Sequence, residues 1–177
     1  MSDLALVQRF LDVSGIPWEP GTRPGELVLT LPGEQKLRTV CSVVVSPAAV
    51  SVSAFVVRRP DENHEAFYRH LLRRNLRMPG LAYGVDGVGD VYLTGRVPLP
   101  PATGDRTAYL EALLDELLGV VLDACDGAFN QLLRLGFLTS MRREWAWRTG
   151  RGEPTANLEA FRHLLEPSEG ERSGPPG

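Results

Sequence analysis

Three short segments, residues 26–31, 37–46 and 50–58, alternate side chains with a period of two and follow one another across tight turns. Val40, Ser42 and Val44 alternate with Cys41, Val43 and Val45. Val50, Val52, Ala54 and Val56 share one face of the third segment. The turns, Pro32-Gly33-Glu34 and Ser46-Pro47-Ala48, are too short for a crossover helix, so the strands form an antiparallel meander. The remaining elements attach to this frame. Ser2 is a good N-cap, followed at helical spacing by Leu4, Val7 and Leu11, and Gly15-Ile16-Pro17 stops that helix. Residues 19–25, rich in Pro and Gly, read as irregular chain. Pro60-Asp61 opens a second helix, with Asp61 as its cap, Phe67, Leu71 and Leu72 as its buried stripe, and Pro79-Gly80 as its stop. Segments 81–85 and 90–97 flank Asp86-Gly87-Val88-Gly89, a hairpin turn. A long helix covers 105–135, and shorter ones cover 137–148 and 155–165. The order is α-βββ-α-ββ-α with extra C-terminal helices, an α+β fold in which an antiparallel sheet packs with helices.

Composition excludes several classes. The chain of 177 residues is about one domain long, assigned here to 1–165, with 166–177 a disordered tail by composition. Net charge is -3, which lacks the basic footprint of a nucleic-acid-binding domain. Cys41 and Cys125 fall in no ligand-spaced cluster and read as buried thiols. No basic region precedes an apolar run at the N-terminus, and no apolar stretch approaches the roughly 20 residues that span a bilayer. A cytoplasmic, membrane-free protein is expected.

The long helix is unusually apolar. On a wheel of about 100° per residue, Asp115, Glu116, Asp123, Asp126, Asn130 and Arg134 share one side. Leu110, Leu114, Leu117, Val121, Ala124, Ala128 and Leu135 form one stripe, flanked by Leu118, Leu122, Phe129 and Leu133. That arc is about twice the roughly 100° that a surface helix buries. Leu118, Leu122, Phe129 and Leu133 therefore need a cover. Either the C-terminal helices fold back onto them or a homodimer forms across this helix, and the two are compatible.

A second concentration lies in Arg142, Arg143, Trp145, Trp147 and Arg148. Trp and Arg dominate binding hot spots, so the segment is a candidate partner-binding surface; the alternative is Trp residues tucked into the core with Arg lying along them as solvated cover. Two residues apart on a helix, the tryptophans cannot face the same way. Arg69, Arg73 and Arg77 form a lesser basic stripe, diluted by Asp61, Glu62 and Glu65, and nucleic-acid binding there is a minor reading. His64, His70 and His163 have no metal spacing, and His70 reads as a surface residue. Glu111 and Asp115 read as solvated first-turn acids. No nucleophile elbow, dinucleotide fingerprint or phosphate loop is present. No catalytic residue, cofactor or metal is expected.

Leu71-Leu72-Arg73-Arg74-Asn75, Gly80 and the hairpin ending Gly89-Asp90-Val91-Tyr92-Leu93-Thr94-Gly95-Arg96-Val97-Pro98-Leu99 resemble the YbjN family. Leu133-Arg134-Leu135-Gly136-Phe137, Arg143-Glu144-Trp145-Ala146-Trp147-Arg148 and Asn157-Leu158-Glu159-Ala160-Phe161 look like its actinobacterial branch. The resemblance covers residues 3–162. It implies a fold like that of type III secretion chaperones, which are commonly homodimers that hold partner proteins. It implies no enzymatic activity, and some members are called sensory transduction regulators. The expected function is a non-enzymatic protein-binding module, chaperone-like or regulatory. The alternative is a small-ligand sensor, which would need a pocket lined by convergent polar groups.

Overall fold

In the computed structural model, residues 2–101 and 105–165 are described. Six antiparallel strands form one sheet in the order β1-β2-β3-β4-β6-β5. The strands are β1 (Trp18–Pro20), β2 (Glu26–Pro32), β3 (Arg38–Ser46), β4 (Ala49–Val57), β5 (Leu81–Val85) and β6 (Val91–Pro98). The helices are α1 (Asp3–Val13), α2 (His64–Asn75), α3 (Thr107–Leu122), α4 (Phe129–Gly136), α5 (Leu138–Arg151), α6 (Ala156–Glu159) and α7 (Arg162–Leu165), with a π-turn at Asp123–Gly127 between α3 and α4. The α+β class and the antiparallel meander are as the sequence implies. The tail assigned to 166–177 lies outside the described residues.

The period of two in the sequence becomes two faces of the sheet. Leu27, Leu29 and Leu31 of β2, Cys41, Val43 and Val45 of β3, and Val50, Val52, Ala54 and Val56 of β4 are buried. Between them, Val28, Ser42, Val44, Ser51 and Ser53 are only partly covered. Ser2 caps α1 as expected, accepting from the Ala5 amide at 3.2 Å, and Val7 and Leu11 are fully buried. Both cysteine thiols are buried and free. Burial pushes Cys41 up to about 12 and Cys125 up to about 11, so neither is a ready thiolate.

Four local expectations change. Residues 19–25 are not wholly irregular, because Trp18–Pro20 adds an edge strand paired with Leu27–Leu29; an outer edge tolerates Pro. Asp61 does not cap α2. It makes a two-bond ion pair with Arg58 at 2.6 and 2.8 Å, and α2 starts at His64 behind Asn63, which adopts a left-handed conformation with φ +51°. The helix also ends at Asn75, before Pro79. Asn75 instead serves the edge strand β5, donating to the Tyr83 carbonyl at 3.2 Å and accepting its amide at 2.8 Å. Glu111 is not simply solvated, since it pairs with Arg9 at 3.4 Å.

The largest correction concerns the long helix. The Ala128 amide bonds the Asp123 carbonyl at 3.0 Å, an i to i+5 bond that inserts one residue into the helical repeat. The phase of the wheel advances beyond it. Asp126, placed on the polar side from its spacing, turns inward and is only 9% exposed. Its carboxylate accepts from the backbone amides of Glu34 at 3.0 Å, Gln35 at 2.9 Å and Lys36 at 2.7 Å. The π-turn thereby clasps the β2–β3 turn. Lys36 extends the clasp. Strand β3 leaves β4 beyond the Cys41–Ala54 pair, and the Lys36 ammonium donates to the Phe55 and Val56 carbonyls at 2.7 and 2.9 Å.

Burial works to raise the Asp126 pKa, but the three amides and Lys36 outweigh it and hold the carboxyl below its usual range. Glu26 is held at about 2 by hydrogen bonds from Arg23 and Ser42. A depressed folded pKa contributes stability above the unfolded pKa, about 4 for these groups, and that contribution is lost as pH falls through the folded value. Denaturant midpoints measured from pH 7 to pH 2 are expected to hold to about pH 5 and then fall. Glu26→Gln should flatten the lower part of that fall.

Candidate partner-binding site

The site begins with what anchors α5. The loop before α2 binds the end of α4: the Asp61 and Glu62 amides donate to the Gly136 carbonyl at 2.9 and 3.2 Å, and Asn63 Nδ2 donates to the Leu135 carbonyl at 3.2 Å. These donors occupy carbonyls that a helix end otherwise leaves open. The Glu62 carboxylate then accepts from the Thr139 amide at 2.6 Å, in the first turn of α5. Arg58 stacks over Phe137 at 4.6 Å, and Phe137 meets Phe67 edge-on with ring centres 6.4 Å apart. The start of α5 is thus fixed to the core on aromatic and backbone contacts.

Beyond that anchor α5 is only lightly held. None of its fourteen residues is fully buried. Leu138, Met141, Trp145 and Arg148 form its half-covered face. Arg148 pairs with Glu144 at 2.6 Å and donates to the Pro154 carbonyl at 3.0 Å. Arg143, Trp147 and Arg151, four residues apart in turn, share the outer face. Trp147 is 46% exposed, and Arg151 stacks on it at 4.9 Å. Arg142 and Arg143 are exposed and have no acidic partner among the described residues. Of the five candidate residues, Trp145 and Arg148 therefore face inward, and Arg142, Arg143 and Trp147 face solvent. Arg151, at the end of the same Arg/Trp run, joins them through its stack on Trp147.

The cover over the long helix comes mainly from the same chain. Leu118 and Leu133 are buried, Phe129 is half-buried against Phe161 with ring centres 6.2 Å apart, and Leu122 is 36% exposed. Leu133, Phe129, Met141 and Phe161, with Phe55, line one groove of about 340 Å³ that Lys36 and Arg58 border. No helix among the described residues is long and apolar enough to cross a membrane. No group of three His, Cys, Asp or Glu among them could hold a metal ion.

Comparison with known families finds the YbjN family, described as "Putative bacterial sensory transduction regulator", matching residues 3–134. The chain belongs to the YbjN family. Similar relatives are found in mycobacteria. Rv0487 of Mycobacterium tuberculosis and Mb0497 of Mycobacterium bovis, both termed uncharacterized proteins, are each 45% identical over 163 residues, spanning 90% of this chain and 85% of theirs. ML2442 of Mycobacterium leprae is 46% identical over 140 residues, 79% of this chain and 72% of that one. The YbjN match stops at residue 134, within α4, whereas the mycobacterial relatives extend over most of the chain. A solved structure titled "Crystal Structure of the ExsC-ExsE Complex" is also similar, covering 66% of this chain and 85% of that one. Its identity is 21% and its TM-score 0.42, a likeness too loose to carry function across.

Proposed function

We propose that this YbjN protein is a non-enzymatic, cytoplasmic binding module that holds a protein partner on the outer face of α5. The observation that carries the proposal is Trp147, half-exposed on a helix with no buried residue and backed by Arg151. An exposed tryptophan costs solvation without adding to the fold, whereas in an interface it is among the strongest anchors. The partner is an acidic segment with an apolar side chain. Four arginines against one glutamate on α5, in a chain of net charge -3, favour carboxylates there. Leu118 and Leu133 are covered within the chain, so we place the partner on α5 rather than a second copy on α3 and α4. Membership in a family described as a transduction regulator is of the same class.

Trp147→Ala and Arg143→Glu are expected to weaken partner retention by about thirtyfold or more for the tryptophan, the scale of a hot-spot residue. Stability should change by no more than about 0.5 kcal/mol, because both side chains are exposed. Co-purification at native expression, wild type beside each variant, reads the first effect, and thermal unfolding reads the second. Identical retained proteins in all three samples would remove α5 from the account.

A further inference from the structure

A hollow of about 590 Å³ opens between the end of α2 and the π-turn. Its volume is within the range of small-molecule sites, roughly 300–1,000 Å³. Its walls carry convergent charge. Arg73, Arg74 and Arg77 line it together with His70, and Asp123 faces them. Two of these charges cancel: Arg74 is bound to the Asp123 carboxylate at 2.6 Å and to Tyr83 Oη at 3.2 Å. Tyr83 Oη in turn donates to the Ala124 carbonyl at 2.7 Å, which fixes that wall to the core. The guanidinium groups of Arg73 and Arg77 have no hydrogen-bond or acidic partner among the described residues, unlike those of Arg58, Arg69 and Arg74. His70 is not the free surface residue its neighbours suggest. Its Nε2 is buried without a partner, and burial, then the charge of Arg74, holds its pKa below the usual range. Leu76 and Met78 supply an apolar side.

We propose that this hollow binds a phosphate-bearing small molecule, with the phosphate held by Arg73 and Arg77 and the organic part against Leu76 and Met78. Two guanidinium forks need more acceptor oxygens than one carboxylate offers, and a phosphate dianion provides three with matching charge. A concave site at one helix end suits a compact ligand better than an extended chain. The neutralised Arg74–Asp123 pair leaves the two free arginines to set the sign of the site. This proposal is independent of the partner surface on α5, which lies on a different helix.

Calorimetric titration of the full chain with inorganic pyrophosphate and with ATP tests it. Saturable binding of at least one is expected, tighter for ATP if Leu76 and Met78 take the organic part. Arg73→Glu combined with Arg77→Glu should weaken it by at least about a hundredfold, about tenfold for each lost charge-assisted contact. Arg38→Glu combined with Arg96→Glu makes the same charge change at two exposed sites elsewhere and should leave binding unchanged. Circular dichroism confirms that both variants fold. No saturable heat with either probe, equal losses in the two double variants, or binding of an acidic peptide in place of both probes would overturn the proposal.

Discussion

Gly136→Ala is expected to destabilise the protein by about 2–3 kcal/mol, the cost of overpacking a rigid core position. A Cβ at this position would stand 2.8 Å from Pro60 Cβ and 2.9 Å from Phe67 Cδ2. Neither neighbour can yield. Pro60 is buried, and Phe67 is wholly buried between Tyr68 and Phe137, both edge-on to it. The Gly136 carbonyl also takes the Asp61 and Glu62 amides, so any shift to relieve the contact loosens the anchor of α5. Gly119 provides the contrast. It sits exposed inside α3 with nothing within 4 Å of its absent Cβ. Gly119→Ala should stabilise by about 0.5–1 kcal/mol through helix propensity alone. Urea midpoints of the two variants, measured side by side, are expected to move in opposite directions.

Asp126→Ala should cost about 3 kcal/mol or more. It removes the acceptor of three backbone amides at once, and an unmade hydrogen bond to a charged group costs more than a made one contributes. It also frees the turn that positions Lys36, whose ammonium completes β4 where β3 departs. Asp126→Asn keeps an acceptor for Gln35 and Lys36 but sets an amide nitrogen against the Glu34 amide, so its loss should be intermediate. Equilibrium unfolding at pH 7 gives the order wild type, Asn, Ala. The difference between wild type and Asp126→Ala should narrow below about pH 4, as the wild-type carboxylate takes up a proton. A difference independent of pH would mean that packing, rather than the carboxylate charge, holds the turn.

The parts of this fold that were legible in the sequence are those set by neighbours in the chain. The alternation of Val40 to Val45 survives as alternate burial because each residue's face follows from the pleat alone. Ser2 caps α1 because cap and amide lie three residues apart. The failures depend on distant residues, on a broken repeat or, at Asp61, on a competing partner three residues away. Trp18–Pro20 is a strand only because Leu27–Leu29 lies beside it. Asp61 faces Arg58 across a local turn, and that ion pair displaces it from the cap. Asp126 was misplaced because a wheel assumes constant pitch, and one inserted residue at Asp123–Gly127 rotates all that follows. The small residues around it, Ala124, Cys125, Gly127 and Ala128, were the available signal, since they permit close approach to the sheet.

The candidate surface was legible as a composition and not as a geometry. Two tryptophans at i, i+2 had to diverge, and they do: Trp145 is half-covered and Trp147 faces out. Which one was exposed depended on how α5 is held by Glu62, a contact across 77 residues, and by Phe137, and no local pattern encodes these contacts. The basic stripe on α2 likewise divides by its partners. Arg69 is paired with Glu65 on its own helix, whereas Arg73 and Arg77 are left to the hollow beside the π-turn.

A photo-crosslinking residue substituted at Trp147, with the protein at native expression in its own host, tests the partner surface most directly. The expected result is a discrete adduct with a different protein, absent when the same residue replaces Val85 on the exposed end of β5. No adduct at position 147, or an adduct only with a second copy of this chain, would contradict a protein partner held on α5.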